Sequence, residues 1–262
     1  MKFEIDDDMD EPIYVYYEMR NFYQNHRNYV KSRSEKQLRG EDLDKKDLDE
    51  SCAPIVSNED LMDFTVPDAG FGADVVKYDN NDIDSYAEFV KHISDKRDDD
   101  VAHPCGLTAA TKFNDTFALI DEDGKTVKID DDDIAWDSDE DYKFKNLDSK
   151  KDMYKKQWTD VEDPHFMVWM RLAALPTFRK LYGVIEKDLD EGDYQLVVNN
   201  LYDVSEWDGE KHFVLTTANA FGGKNYFLGT LFLCAGGLCL LIDIVFIMLY
   251  FIRKPSMDNL KW

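Results

Sequence analysis

The apolar residues of the chain are most concentrated in one stretch near its C-terminal end. Residues 226 to 252, YFLGTLFLCAGGLCLLIDIVFIMLYFI, include sixteen Leu, Ile, Phe or Val residues and a single charge, Asp243. A helix needs about 20 apolar residues to cross a bilayer core, and this many outweigh the insertion cost of one aspartate. The pattern therefore predicts a transmembrane helix over residues 226–252, followed by a tail over residues 253–262.

Shorter patterns predict strands in the rest of the chain. DTFALIDEDGKTVKID is typical of a hairpin that turns at Asp123-Gly124. YQLVVNNLYDV and KHFVLTTANAF predict two more strands, with a turn at Asp208-Gly209 between them. FMVWM is apolar enough for a buried strand, and Pro176 would interrupt any helix after it.

Two segments are less clear from their patterns. IYVYY fits a strand, but from Tyr16 to Val30 apolar residues also recur at helical spacing, so a short amphipathic helix is the alternative. Residues 53–104 are strongly acidic, and we interpret much of this stretch as a solvated insertion that contains a short helix, SYAEFVKHISDK. The resulting organisation is a domain over residues 1–225 with this insertion, then the membrane helix and the tail.

The charge balance is unusually acidic, with a net charge of −24 and an isoelectric point near 4.4. Such a surface disfavours nucleic acid as a partner, because phosphate binding needs basic residues. Aromatic residues make up 13% of the chain, which argues against a disordered chain.

Two aromatic segments stand out because they are basic, FYQNHRNYVKSRS and HFMVWMRLAALPTFRKLYG. Their polar side chains could contact a partner protein, or they could pin the folded core through hydrogen bonds and ion pairs. The sequence leaves both explanations open. The candidate partner-contact residues are Arg20, Asn25, His26, Arg27, Tyr29, Lys31, Arg33, Arg171, Arg179 and Lys180.

Motifs for catalysis and cofactor binding are absent from the sequence. There is no HExxH, GxSxG, Walker or GxGxxG pattern. An EF-hand numbered from Gly124 would need an acidic first ligand where Leu119 stands, so an acidic hairpin is the better interpretation. We therefore expect no enzyme activity, cofactor or metal site.

The cysteines and the charges around the helix bear on topology. Cys52 and Cys105 are the only two cysteines outside the membrane helix. They could form a disulfide in an oxidising lumen or remain free thiols in the cytosol. Asn114-Asp115-Thr116 is an N-glycosylation sequon, and basic residues follow the helix; both favour a lumenal domain and a cytosolic tail. The start MKFEIDDDMDEP has no apolar signal segment, which taken literally indicates a tail-anchored cytosolic protein.

The membrane helix carries its own candidate residues. Gly229, Gly236 and Gly237 give it a small-residue face on which another helix could pack closely. Asp243 is a charge at membrane depth, either functional or locally hydrated.

Five blocks of the sequence occur in the order found in one family: PIYVYYEMRNFYQNHRNYVKSRSEKQL, PCGLTAATKFNDTF, IAWDSDEDYKF, VWMRLAALPTFRKLYG, and GGKNYFLG before a membrane helix. The chain resembles the cell division control protein 50 family, also called the ligand-effect modulator family, from about Pro12 to its end. Members are non-catalytic β-subunits of type IV P-type ATPases, the phospholipid flippases. The resemblance implies a hetero-dimer with the ATPase α-subunit in contact with membrane lipid, and no ATP site of its own.

The resemblance also implies an architecture. It indicates a mainly β (α+β) exoplasmic domain, an antiparallel β-sandwich-like core with helical insertions, between two membrane helices. Within it we expect a Cys52–Cys105 disulfide and a glycan on Asn114. The family's first membrane helix is missing, as in a fragment, and Asp243 stands where the family helix is apolar. The subunit would escort its ATPase from the endoplasmic reticulum to the Golgi, endosomes or plasma membrane. A single-pass receptor or adhesion ectodomain, and a tail-anchored cytosolic adaptor, are the competing interpretations.

Overall fold

The computed structural model describes residues 1–48, 51–65, 77–78, 81–82, 100–148, 156–217 and 226–252. The chain divides into two units, Met1–Thr217 and Ala218–Trp262. We call the first unit the head and describe each unit by itself.

The strands of the described head form antiparallel sheets. They are β1 (Lys2–Ile5), β2 (Ile13–Arg20), β3 (Lys77–Tyr78), β4 (Asn81–Asp82), β5 (Thr116–Ile120), β6 (Thr126–Val127), β7 (Phe178–Ile185), β8 (Gly192–Asn199) and β9 (Glu210–Thr216). One sheet has the order β1-β8-β5-β6, a second has the order β7-β2-β9, and β3 pairs with β4. The predicted antiparallel sheets are thus confirmed, while their arrangement as a sandwich stays a prediction.

Short helices lie between these strands, which makes the fold a mixture of both element types. They are α1 (Arg27–Lys31), α2 (Glu35–Leu38), α3 (Asn58–Thr65), α4 (Leu107–Ala110), α5 (Asp137–Tyr142) and α6 (Pro164–Met170), with 3-10 turns at Lys45–Asp47 and Ser205–Trp207.

Two apolar clusters form the core of the head. The larger one gathers buried side chains from the helices and loops, among them Trp158, Phe166 and Trp169. The smaller one draws on both sheets, since it includes Ile13 of β2 and Leu119 of β5. The basic and aromatic segments singled out in the sequence both contribute to the larger cluster.

Several element predictions can be compared with this fold. The hairpin at Asp123-Gly124 is confirmed, because β5 and β6 pair and Gly124 has the positive φ of +79° that its turn requires. IYVYY lies in strand β2, and the helix begins only at Arg27. Period-2 burial of Ile13, Val15 and Tyr17 is the pattern that decided between the two alternatives.

The strand predicted at FMVWM was wrong. FMVWM is helix α6, capped by the Asp163 carboxylate, which accepts a hydrogen bond from the His165 amide at 3.0 Å. An uninterrupted apolar run does not distinguish a buried strand from a buried helix, and all of Phe166 to Met170 is buried. The two strands predicted on either side of Asp208-Gly209 are confirmed as β8 and β9, but they do not pair with each other, since β8 pairs with β1 and β5 whereas β9 pairs with β2.

The acidic stretch over residues 53–104 is described only in part. Its described ends are not solvated, because Ile55, Leu61 and Ala102 lie in the larger core cluster. The predicted helix SYAEFVKHISDK lies outside the described residues.

The described part of the second unit is helix α7 (Tyr226–Ile252). At 1.5 Å per residue it is about 40 Å long, and the mean hydropathy of its most apolar window is 2.6. By length and composition this helix can cross a membrane, as the sequence predicted. Nothing lies within 4 Å of a Cβ built on Gly229, Gly236 or Gly237, and their role in packing stays a prediction, as does that of Asp243.

Candidate partner-binding surface

The segment after β2 turns two of its aromatic side chains, Phe22 and Tyr29, into the head. Phe22 packs against Trp169 and Trp207, with ring centroids 5.7 and 5.8 Å apart. Tyr29 is only 6% exposed, and its hydroxyl lies 2.7 Å from the Thr111 hydroxyl. Tyr29 is therefore a core residue and not a partner contact, which corrects that part of the sequence prediction.

The loop that contains Phe22 and Asn25 runs beside the loop that contains Ala174 and Pro176. The Phe22 amide donates to the Pro176 carbonyl at 3.1 Å, and the Asn25 side-chain amide donates to the Ala174 carbonyl at 2.9 Å. Between these two bonds, Tyr23 and Leu175 project outward, 55% and 67% exposed. Asn25 thus has a structural role, and it places two exposed apolar side chains beside each other.

Arg20 and Arg179 share one acidic partner. Their Nε atoms lie 2.8 and 2.6 Å from the two carboxylate oxygens of Glu18, a buried residue opposite Arg179 in the sheet. The hydrogen bonds from Arg179 and Arg20 hold the pKa of Glu18 below its usual value. Because both arginines form ion pairs with Glu18, they stabilise the sheet β7-β2-β9.

Arg33 and Lys180 bind the C-terminal end of helix α6. The Arg33 guanidinium donates to the Met170 carbonyl at 3.0 Å. The Lys180 ammonium donates to the carbonyls of Val168 at 3.1 Å, Trp169 at 3.3 Å and Arg171. These are carbonyls left open where a helix ends, and cations there are favoured by the helix dipole.

Lys180 is also corrected as a partner contact, because it is only 6% exposed. Burial lowers the pKa of Lys180 to about 7, and the nearby charge of Arg171 acts in the same direction. Its position opposite Tyr17 in the sheet keeps its side chain inside the head. Cations in this segment therefore pin the fold, as one of the two open explanations proposed.

Arg171 is held from two sides. Its guanidinium donates to the buried carboxylate of Asp139 and lies 3.8 Å from the ring centre of Trp136, which is 63% exposed. Burial alone would raise the pKa of Asp139, but hydrogen bonds from Arg171 and Lys143 outweigh it and hold the pKa low.

Three of the candidate residues are exposed and lack an ion pair within the described part of the chain. His26, Arg27 and Lys31 are exposed, and none of them has an ion pair among the described residues. Arg27 and Lys31 are four residues apart on α1, so they share a helix face with Val30, which is also exposed. We call the following set the α1 surface: Tyr23, His26, Arg27, Val30, Lys31 and Leu175.

The sequence reasoning missed the apolar members of this surface. Tyr23, Val30 and Leu175 were interpreted as part of aromatic or apolar segments, and no pattern marked them as exposed. The helical spacing from Tyr16 to Val30 would place Tyr23 on the apolar face of a helix. Val30 shares helix α1 with Arg27 and Lys31, and the pairing of the two loops brings the Tyr23 and Leu175 positions together.

A disulfide joins Cys52 to Cys105, whose Cα atoms are 5.6 Å apart. Ser32 accepts a hydrogen bond from the Leu107 amide at 2.7 Å and donates one to the Cys52 carbonyl at 3.1 Å. Gly106 has a φ of +99°, and a Cβ there would lie 2.2 Å from the Ser32 carbonyl oxygen. The disulfide region is therefore packed tightly under the segment that carries α1.

The sequon is close to the same core. Asn114 is 9% exposed, and its Oδ1 is buried without a hydrogen bond. The neighbouring Asp115 carboxylate accepts the amides of Leu201 and Tyr202 at 2.8 and 2.7 Å and binds the Lys211 ammonium. Its glycosylation stays a prediction.

Acidic oxygens come close together at one place among the described residues. Those of Asp130, Asp131 and Asp132 lie within 4.8 Å of one another. Asp130 is bound by Lys128 and Asp131 by His165, and no independent observation points to an ion, so we propose no metal site there.

Comparison with known proteins then identifies the family. Residues 1–256 match the model of the LEM3 (ligand-effect modulator 3) family / CDC50 family. The chain belongs to this family. The CDC50 family resemblance read from five sequence blocks is thereby confirmed.

Three relatives illustrate the range of the match. ALA-interacting subunit 3 of Arabidopsis thaliana is 38% identical over 97% of this chain and 65% of its own length. Cell cycle control protein 50A of Rattus norvegicus is 32% identical over 90% of this chain and 71% of its own length. The phospholipid-transporting ATPase accessory subunit CDC50 of Chaetomium thermophilum is 30% identical over 97% and 60%. This chain thus spans less than two thirds of the length of some of the CDC50 relatives that it matches.

Proposed function

We propose that this chain is a non-catalytic accessory subunit of a phospholipid-transporting P-type ATPase of type IV. The observation that carries the proposal is the family match over residues 1–256, together with a relative named as an accessory subunit of such an ATPase. The subunit binds the ATPase α-subunit as a hetero-dimer, supports its folding and exit from the endoplasmic reticulum, and is needed for its activity.

The proposed location of the head is the lumenal or extracellular side of the membrane. A disulfide persists in that oxidising environment. The basic residues that follow helix α7 favour a cytosolic tail. The same placement makes Asn114 available to the glycosylation machinery, and the complex would reside in the endoplasmic reticulum, Golgi, endosomes or plasma membrane.

The α1 surface is the proposed contact with the ATPase. It combines exposed aromatic and aliphatic side chains with cations that no carboxylate of the described head neutralises. Protein interfaces favour tyrosine and arginine at their centres. In a chain of net charge −24, this basic surface complements an acidic exoplasmic loop of the partner.

Co-purification of the ATPase tests this proposal. The double substitution Arg27→Glu with Lys31→Glu should reduce the co-purified ATPase about tenfold, because two close charges become repulsive. Lys125→Glu with Lys187→Glu makes the same change in net charge at exposed positions elsewhere and should leave the complex intact. Equal binding by both variants would remove the α1 surface from the interface.

The escort role needs a separate readout. In cells depleted of the chain, the ATPase should stay in the endoplasmic reticulum, and its phospholipid transport should fall. Re-expression of the native chain should restore both. If the chain is a receptor or adhesion ectodomain instead, its depletion leaves the ATPase where it was, and no ATPase co-purifies.

A further inference from the structure

The sequon of the folded head is locked at the start of strand β5. Asn114 is 9% exposed, and the residue after it, Asp115, is buried. Thr116, the third sequon residue, is paired with Asn199 of strand β8. The third residue of the sequon therefore belongs to the sheet, and the first two lie buried in the segment directly before it.

Asp115 fastens this backbone to a distant part of the chain. Its carboxylate accepts the amides of Leu201 and Tyr202 and binds the Lys211 ammonium, which is 17% exposed. These partners follow Asp115 by 86 to 96 residues. These contacts of Asp115 can form only after the chain has been synthesised almost to the end of the head.

Transfer of an N-linked glycan needs an open sequon. The Asn side-chain nitrogen loses a proton and bonds to the anomeric carbon of the sugar, while the bond from that carbon to the phosphate of a lipid-linked donor breaks. The enzyme must surround the side-chain amide and hold the Asn-x-Thr backbone during this step. The buried side-chain oxygen of Asn114 and the buried Asp115, whose carboxylate is bonded to distant backbone amides, prevent both.

We infer that Asn114 accepts its glycan only before the head folds, and that folding closes the site. The inference rests on the proposed lumenal location of the head. At roughly 5–20 residues per second, synthesis of the 96 residues that separate Asp115 from Lys211 leaves a window of about 5 to 20 s.

The hairpin turn offers a matched control site. Gly124→Asn creates the sequon Asn-Lys-Thr with the existing Lys125 and Thr126. Position 124 is exposed, a Cβ there has no atom within 4 Å, and asparagine tolerates its positive φ better than most residues. Thr126 is paired with Ile120, just as Thr116 is paired with Asn199, so the two sequons differ in burial and not in strand pairing. The control sequon is exposed in the folded head.

The experiment uses the full chain with Gly124→Asn in cells whose donor synthesis is blocked reversibly during a labelled pulse. After the block is released, mass spectrometry measures both sites on chains with a closed disulfide. We expect glycan at position 124 and at least about 100-fold less at Asn114, since opening the site breaks a buried ion pair. Without the block, both sites should be occupied.

Each other outcome has a defined meaning. Equal late glycosylation of both sites would overturn the inference while supporting the lumenal location. Glycan at position 124 but never at Asn114, even without the block, would also overturn it. Absence of glycan at both sites without the block would refute the lumenal location itself. As a second measurement, the purified unglycosylated chain is offered enzyme and donor, and Asn114 should react only after reduction and denaturation.

Discussion

The disulfide between Cys52 and Cys105 supplies a prediction whose size follows from its position in the chain. It closes a loop with a sequence separation of 53 residues. In the chain-entropy description, such a loop restricts the unfolded chain by about 4 kcal/mol at 25 °C. Replacing both cysteines by serine should lower the free energy of unfolding by about that amount.

Thermal unfolding of the full chain in detergent measures this change. For a domain of this size, about 4 kcal/mol corresponds to a decrease in Tm of roughly 8 to 16 °C. The wild-type chain under reducing conditions should show the same decrease, whereas the double variant should not respond to reductant. A shift of less than about 3 °C in both comparisons would refute the claim that this loop constraint stabilises the head.

Three further predictions concern packing and charge. Gly106→Ala should lower the free energy of unfolding by about 3 kcal/mol, against about 1 kcal/mol for Gly124→Ala, because both have positive φ but only Gly106 lacks space; equal effects in denaturant titrations would contradict this. Asp139→Asn should lower the free energy of unfolding by about 2 kcal/mol at pH 7. Since the folded-state pKa of Asp139 is lowered, that difference should be complete above about pH 5 and shrink below about pH 4; a difference independent of pH would count against it. If the glycine face of α7 packs against the ATPase, Gly236→Leu should weaken co-purification, while Leu238→Ile should not; unchanged recovery of both would exclude that face.

Much of the architecture followed from local patterns. Helix α7 was predictable because twenty-seven consecutive residues carry only one charge. The β5–β6 hairpin was predictable because Asp123-Gly124 supplies the turn between two alternating segments. In both cases the information lies within one short segment.

The features that the sequence did not predict correctly, or did not predict at all, depend on contacts between distant residues. The FMVWM segment is apolar on all sides because α6 is enclosed by the larger core cluster, so its periodicity carries no information. The partners of β8 and β9 lie in β1, β5 and β2, and a turn sequence cannot specify them.

The same limit applies to the candidate site. The sequence selected ten residues because basic side chains are unusual in so acidic a chain. Whether each cation faces solvent depends on where an acceptor is placed, such as Glu18 between Arg20 and Arg179. The structure separates the cations that hold the head together from Arg27 and Lys31, which remain without an ion pair on the α1 surface.

The most direct test of the proposed function is the activity of a type IV P-type ATPase produced with and without this chain in the same cells. We expect phospholipid-stimulated ATP hydrolysis by the purified ATPase, and its departure from the endoplasmic reticulum, only when the native chain is present. An ATPase that reaches the same membrane and hydrolyses ATP at the same rate without the chain would contradict its role as an accessory subunit.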